Sequence, residues 1–415
     1  MRGDGVFANF SHPLSLPLGT ELRTGEDEHL EIQSGPVSNA GRIEALGNSF
    51  QGAEMEFSAA LTNVAGTGSI VGHDSIFRFR DGVTNYGGMA FGSGLNDILG
   101  DITNESGGSI SISGGATAIF HEDVQNNSII NVSAAGGLQS SAIFFGTLSG
   151  NGILGSGNVF IEGDARPGFS PGVMQFGGDL TYGPLATLEI ELGGITPGTE
   201  HDQISVTGEI NLGGSLQVTL INGFVPSAGM TFDLWNAAYV TGQFHTVTLP
   251  NLPGGLFWHT SDLNTTGEIH VGLTPETYAG FASFYGLTGS PSDDDDGDGI
   301  ANLHEYVMAK NPLVNDFSHE DTGFEISGGD DTFSFILAQP LGSDITLEIE
   351  NSSTLKSTGP GAWSQISSRA GNSPWSGTPV TIAPHGSGLE KITLSVPTTG
   401  DRNFYRLKIT LIPSP

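Results

Sequence analysis

Along the first two-thirds of the chain, apolar residues fall in short alternating runs and not in the three-and-four spacing of amphipathic helices. Leu61-Thr62-Asn63 returns as Val83-Thr84-Asn85, Ile102-Thr103-Asn104 and Val124-Gln125-Asn126, with a looser echo in Leu148-Ser149-Gly150; the starts lie 22, 19, 22 and 24 residues apart. Each copy is followed by glycines, a short alternating run, a further turn and an aromatic run. The aromatic runs are Ile76-Phe77-Arg78-Phe79, Ala118-Ile119-Phe120, Ile143-Phe144-Phe145 and Val159-Phe160-Ile161. An earlier unit, from Val37-Ser38-Asn39 to Met55-Glu56-Phe57, fits the same frame. A unit of roughly 20–24 residues with two or three short strands predicts one coil of a β-solenoid. Each coil stacks about 4.8 Å above the last. It buries its apolar face only against its neighbours. A sandwich of irregular hairpins is the competing reading, and the recurring tripeptide favours coils.

The pattern changes near 166–172. Longer alternating runs follow at 185–192, 203–206, 215–221, 230–235, 244–249 and 268–273. They predict either the wider end of the solenoid or a β cap closing its edge. Residues 1–36 carry few repeat features, and Phe7, Phe10, Leu14, Leu16 and Leu18 are candidates for an end cap. Past residue 320 the alternation resumes at 324–326, 332–337, 345–350, 380–382, 391–396 and 405–411. Six to eight short strands there predict a C-terminal β-sandwich. Trp363 and Trp375 would pack its core or mark a sugar-binding face.

Between the two β regions the pattern turns helical. Thr274-Pro275-Glu276 reads as a helix start, with Thr274 as the N-cap and Pro275 at the first helical position. Ala279, Phe281, Ala282 and Phe284 to Leu287 would face inward. A second helix carries Leu303, Tyr306 and Val307 as its apolar stripe, and Asn311-Pro312 would end it. Between the helices lies the densest acidic stretch of the chain, 293–305. With Gly299 at position 6 of a twelve-residue loop, Asp294, Asp296 and Asp298 fall at positions 1, 3 and 5, Asn302 at 9 and Glu305 at 12. That is the oxygen-ligand spacing of an EF-hand calcium loop, with the Ile300 carbonyl at position 7. Gly299 permits the sharp turn. His304, at position 11, would point outward. A solvated acidic linker is the bland alternative, and spacing, glycine and terminal glutamate together favour the ion. One such hand is a structural staple rather than a sensor, because sensors pair two loops over a Met-rich groove.

The expected class is therefore all-β. A lead segment (1–36) precedes a right-handed parallel β-solenoid (37–172) and its continuation or cap (173–273). A short helical calcium-binding linker (274–314) and a C-terminal β-sandwich (315–415) follow, the linker acting as a calcium-fixed joint.

Composition narrows the partners. There are 13 Lys+Arg against 45 Asp+Glu, a net charge of -32, which excludes nucleic acid and anionic membrane as natural partners. Only 14% of residues are charged and 63 are glycine, a turn-rich, neutral-polar chain. Without cysteine there is no disulfide, thiolate metal site or Cys nucleophile. No apolar run approaches the ~18 residues of a membrane span, and no leader peptide is visible at the start. Composition and the calcium loop point to an exported protein, extracellular or on the cell surface.

Catalytic motifs are present only in form. Gly168-Phe169-Ser170-Pro171-Gly172 matches G-x-S-x-G, yet Pro171 has no N–H to give an oxyanion hole. Gly150 to Gly155 matches G-x-G-x-x-G but runs into a strand, so no helix N-terminus cradles a phosphate. The eleven histidines show no metal spacing, and His201-Asp202 is a conceivable pair. Arg78, Arg80 and Arg166 are the basic candidates of the repeats from residue 60 on, too few for an anionic-sugar lyase groove.

The run from Arg166 to Gly172, with Gly178-Asp179-Leu180, the segment from Leu188 to Gly194 and His201-Asp202-Gln203-Ile204, resembles the passenger repeats of bacterial autotransporter-type surface β-helix proteins. The likeness covers roughly residues 60–273 and is continued by Gly213-Gly214-Ser215-Leu216. It implies a right-handed β-helix on a cell surface or in the extracellular space. The acidic stretch likewise resembles the EF-hand-like and thrombospondin-type loops of secreted bacterial proteins. The expectation is a non-enzymatic, structural or adhesive surface protein that binds calcium and touches extracellular glycans or copies of itself in a matrix or fibre. The alternative is a carbohydrate-binding or polysaccharide-degrading β-helix protein.

Overall fold

The computed structural model describes residues 6–49, 52–168, 170–315, 322–327, 330–359, 362–397 and 403–412. The chain packs as two units: residues 1–224 with 232–250 and 264–267, and residues 225–231 with 251–263 and 268–415. Strands dominate, and the two α-helices among the described residues both fall in the second unit.

The first unit is built from three rows of parallel strands. One row runs through Ala53–Phe57, Ser75–Phe79, Leu95–Leu99, Thr117–Phe120, Ser141–Phe144 and Asn158–Ile161. A second runs through Leu61–Asn63, Val83–Asn85, Ile102–Asn104, Val124–Asn126 and Leu148–Gly150. The third is a ten-stranded sheet from Glu21–Thr24 to Trp235–Asn236. Each strand therefore pairs with its counterpart one repeat later, as the tripeptide recurrence predicts. Alternation decides which side chain goes in. In Ser75–Phe79 the serine and both phenylalanines are buried while Ile76 and Arg78 are only half covered.

Two internal ladders hold the rows together. Phe57 and Phe79 stack with ring centroids 5.8 Å apart, and Phe120 and Phe144 at 4.9 Å. The other ladder is polar. The last residue of each tripeptide is a fully buried asparagine. Its Nδ2 donates to the Oδ1 of the next: Asn39 to Asn63 at 2.9 Å, Asn63 to Asn85 and Asn85 to Asn104 at 2.8 Å, and Asn104 to Asn126 at 2.9 Å. The second hydrogen of each amide goes to a backbone carbonyl of the third row, such as Gly88 O from Asn63 at 3.1 Å. A buried amide is costly unless its groups are paired. A column of identical amides pairs them at the rung spacing. Gly68 and Gly87 press against this column, and a Cβ at either would collide with it or with the neighbouring backbone. The ladder ends at Asn126, where Gly150 takes the next place and the Asn126 Nδ2 has no partner among the described residues.

The lead segment differs from expectation. Val6–Leu16 pairs in parallel with Glu28–Asn39, which continues onto both Ala53–Phe57 and Leu61–Asn63. Residues before 37 thus already belong to the rows, and Phe10 (41%) and Leu18 (75%) are too exposed to form an apolar cap. The signal was hidden because these two strands span a corner that later repeats break with a turn. The Phe7 side chain lies outside the described ones. After residue 173 the same pairing continues, with Thr187–Leu192 on Ser215–Leu220 and that strand on Thr246–Thr248.

In the second unit, two four-stranded antiparallel sheets contribute to one core. One contains Thr322–Ser327, Asp330–Ala338, Leu389–Pro397 and Val380–Pro384; the other contains Ser376–Gly377, Ser364–Ala370, Ile345–Ser352 and Phe404–Leu411. Phe335, Leu337, Leu347, Ile349, Ile392 and Leu394 meet in that core. The side chains of 322–327, including Phe324 and Ile326, lie outside the described ones. Trp375 packs against the core, 6.2 Å from Phe335, and the Arg406 guanidinium lies 4.3 Å over Trp363.

Helices α1 (Tyr278–Tyr285) and α2 (Asn302–Met308) pack into the same core through Tyr278, Phe281, Tyr306 and Val307. The segment read as a linker is therefore part of the second unit. Asp344 ties the two helices, accepting from Tyr278 N at 2.8 Å and from the Tyr306 hydroxyl at 3.1 Å. The N-cap of α1 is Thr277, whose hydroxyl accepts from Gly280 N, and not Thr274. Thr274 is buried, and Glu276 accepts from Ser261 N and Thr260 N, which removes that segment from the helix. Ala279 and Phe284 are exposed instead of facing inward. Helix α2 stops at Met308, with Ala309 left-handed at φ 54°, before Asn311-Pro312 is reached.

Candidate metal centre and an axial groove

The acidic loop folds on its own backbone. Asp294 accepts from Gly297 N at 2.8 Å and Gly299 N at 2.9 Å, Asp296 from Asp298 N at 3.0 Å, and Asp298 from Ile300 N at 2.8 Å. Gly297 (φ 78°) and Gly299 (φ 95°) supply the left-handed turns that bring alternate aspartates round to one side. One carboxylate oxygen from each of Asp294, Asp296 and Asp298 lies within 4.8 Å of the others. Asp296 Oδ2 is buried and has no hydrogen-bond partner among the described residues. Burial, followed by the charges of Asp298 and Asp294, raises the Asp296 pKa. A divalent cation would relieve both the repulsion and the orphaned oxygen, and three convergent carboxylates are hard donors suited to a hard ion.

The remaining predicted ligands sit differently. Asn302 and Glu305 are on α2 and almost fully buried, at 0% and 1% exposure. Glu305 is not among the converging carboxylates. Ile300 enters the loop through its N–H to Asp298. His304 is half-buried and not outward, and burial lowers its pKa. Asn302 and Glu305 are buried on the helix that also turns Tyr306 and Val307 into the core.

A second feature lies on the first unit. A groove of about 480 Å³ crosses the outer face of the second strand row. Its floor is the middle residue of successive tripeptides, Thr103, Gln125 and Ser149, continued in register by Arg166, which pairs with Glu189 beyond it. Asp101 and Asp123 line one side, Glu191 and Asp202 the far end. Arg166 is held by Glu189 at 2.7 Å and Asp164 at 3.4 Å, and the bond to Glu189 raises its pKa. Ser170 donates its hydroxyl to Glu191. His201 and Asp202, a conceivable pair by sequence, do not bond to each other. The imidazole faces Gly194 O at 3.1 Å and Asp233 O at 3.2 Å, while Asp202 accepts from Gly172 N at 2.8 Å and Glu191 N at 2.9 Å. Burial pushes the Asp202 pKa up to about 7. Sequence reasoning passed over this groove. Its only trace was the recurrence of small polar residues in the middle of the tripeptide, which signalled a strand and nothing more.

No protein-family model matches this chain, and no curated protein is significantly similar to it.

Proposed function

We propose that the chain is a secreted or cell-surface structural and adhesive protein, a right-handed parallel β-solenoid followed by a β-sandwich that calcium stabilises. The observation that supports it most is the repeated strand-on-counterpart pairing with a continuous buried asparagine column, which suits an elongating, load-carrying body. Net charge of -32 keeps such a surface soluble and attracts cations. Calcium, when bound by Asp294, Asp296 and Asp298, would supply positive charge at the loop between α1 and α2. In this reading it is a staple of the C-terminal unit, reinforcing the helix pair that Asp344 already ties. Binding to the folded state alone adds about 2.7 kcal/mol at a hundredfold excess over Kd.

Display of the chain on otherwise non-adherent cells tests the role. The expected result is attachment to cells bearing the same chain or to glycan-coated surfaces, weakened on chelation of calcium. Attachment no greater than that of undecorated cells would oppose the reading.

A further inference from the structure

We propose that the groove over Thr103, Gln125 and Ser149 is a binding site for a neutral, hydroxyl-rich chain, an uncharged oligosaccharide lying along the stack. This adds a ligand site to the scaffold reading and depends on neither calcium nor the acidic loop.

Several polar groups of the walls already have partners within the protein. Asp101 accepts from Asp123 N at 3.3 Å, and Asp123 from Thr147 N at 2.8 Å. Glu189 is paired with Arg166, and Asp202 accepts two backbone N–H groups. The carboxylates thus shape the walls and hold their neighbours in place. The floor is different. Thr103 and Gln125 are in register on adjacent strands, as are Gln125 and Ser149, and all three are half-exposed. Among the described residues, none is hydrogen-bonded to the side chain of Thr103, Gln125 or Ser149. Successive rungs are about 4.8 Å apart, so hydroxyl, amide and hydroxyl repeat along a line, each able both to donate and to accept. A sugar hydroxyl has the same dual character.

Other ligands fit less well. An anionic polymer meets a negative wall whose one cation, Arg166, is already neutralised. A basic peptide would compete with Arg166 and with backbone N–H groups that the carboxylates already hold, and an apolar peptide would need a buried anchor pocket. The lining offers chiefly Pro167 and the edge of Ile102 as apolar surface.

The test measures binding of the full chain to a panel of fluorescent neutral oligosaccharides, with polyuronates and a lysine-rich peptide as comparators. Gln125→Ala, the double variant Gln125→Ala/Ser149→Ala, and Thr84→Ala, one strand outside the groove, are compared. All three positions face outward, and an unchanged circular dichroism melt confirms folding. At least one neutral oligosaccharide should bind. Its affinity should fall about tenfold with Gln125→Ala and further with the double variant. Thr84→Ala should match the parent, and chelation of calcium should leave binding intact. No neutral oligosaccharide bound at millimolar concentration, full affinity in the double variant, or binding of the peptide alone would overturn the proposal. Failure of cell attachment with binding intact would count against the adhesive reading and leave the groove standing.

Discussion

Replacing Asn85 by alanine removes the middle of the buried amide column. Asn85 accepts from Asn63 at 2.8 Å and donates to Asn104 at 2.8 Å and to Ser109 O at 3.3 Å. Without it, Asn63 Nδ2 keeps only its bond to Gly88 O, and Asn104 Oδ1 loses its donor from this side. Leaving a buried polar group unsatisfied costs about 1–3 kcal/mol. Two such groups in a fully buried column, with a small cavity added, give a loss of about 3–5 kcal/mol. Asn126→Ala is the internal control. Among the described residues its Nδ2 already has no partner, so only the acceptor for Asn104 and a 3.3 Å bond from Ser128 N disappear. The expected loss there is about 1–2 kcal/mol. Thr84→Ala, next to Asn85 but facing out, should change stability by under about 0.5 kcal/mol. Hydrogen exchange read by mass spectrometry over Leu61–Asn63, Val83–Asn85 and Ile102–Asn104 measures local opening directly, which suits rows of strands in which neighbouring repeats need not unfold together. A loss of 3 kcal/mol is an acceleration of about a hundredfold. If Asn85→Ala costs no more than Asn126→Ala, the column is not a chain of coupled hydrogen bonds and the reasoning fails.

Further outcomes are expected elsewhere. Calcium titrated into chelator-stripped protein should bind and raise the melting temperature, and Asp296→Asn should weaken both effects, since it takes away a converging carboxylate; identical calorimetric titrations of parent and variant would rule the loop out. Ala309→Gly should stabilise the protein by about 1 kcal/mol, because alanine there holds a left-handed backbone at φ 54°, and an unchanged urea midpoint would contradict it. Burial lowers the His201 pKa below its ordinary 6.5, so the unfolded chain takes up the proton first as pH falls, and stability present above 6.5 is lost toward the lower folded value. Asp202 has the opposite sign: its raised pKa of about 7 means that stability present below 3.8 is lost as pH rises through about 7. Because the Asp202 contribution is common to both proteins, the urea midpoint of His201→Gln relative to the parent should rise on going from about pH 7 to about pH 5, and a difference that does not change with pH would refute the assignment.

Much of the first unit was legible because its rule is local and repeated. Alternation at period two decides burial, and the tripeptide ending in asparagine marks the same corner each time, so the strands at 61, 83, 102 and 124 needed no long-range information. The first strands were illegible for the complementary reason: Glu28–Asn39 runs through a corner without the turn that punctuates later copies. The aspartate loop was legible in its first half. Asp294, Asp296 and Asp298 converge because their spacing and the two glycines set the backbone within a few residues. The burial of Asn302 and Glu305 was not legible, because the rotation of their helix answers to a core that also holds Ile392 and Leu394, far along the chain.

Composition and periodicity alone thus settle that the chain is all-β, repeating, acidic and equipped with convergent aspartates, since each follows from side-chain alternation or spacing over a few residues. Which amides meet in the asparagine column, where the column stops, and which unspent hydroxyls and amides line one groove depend on strand register across 19 to 24 residues of intervening chain. Register is set by all the rungs packing at once, and no local stretch of sequence carries it.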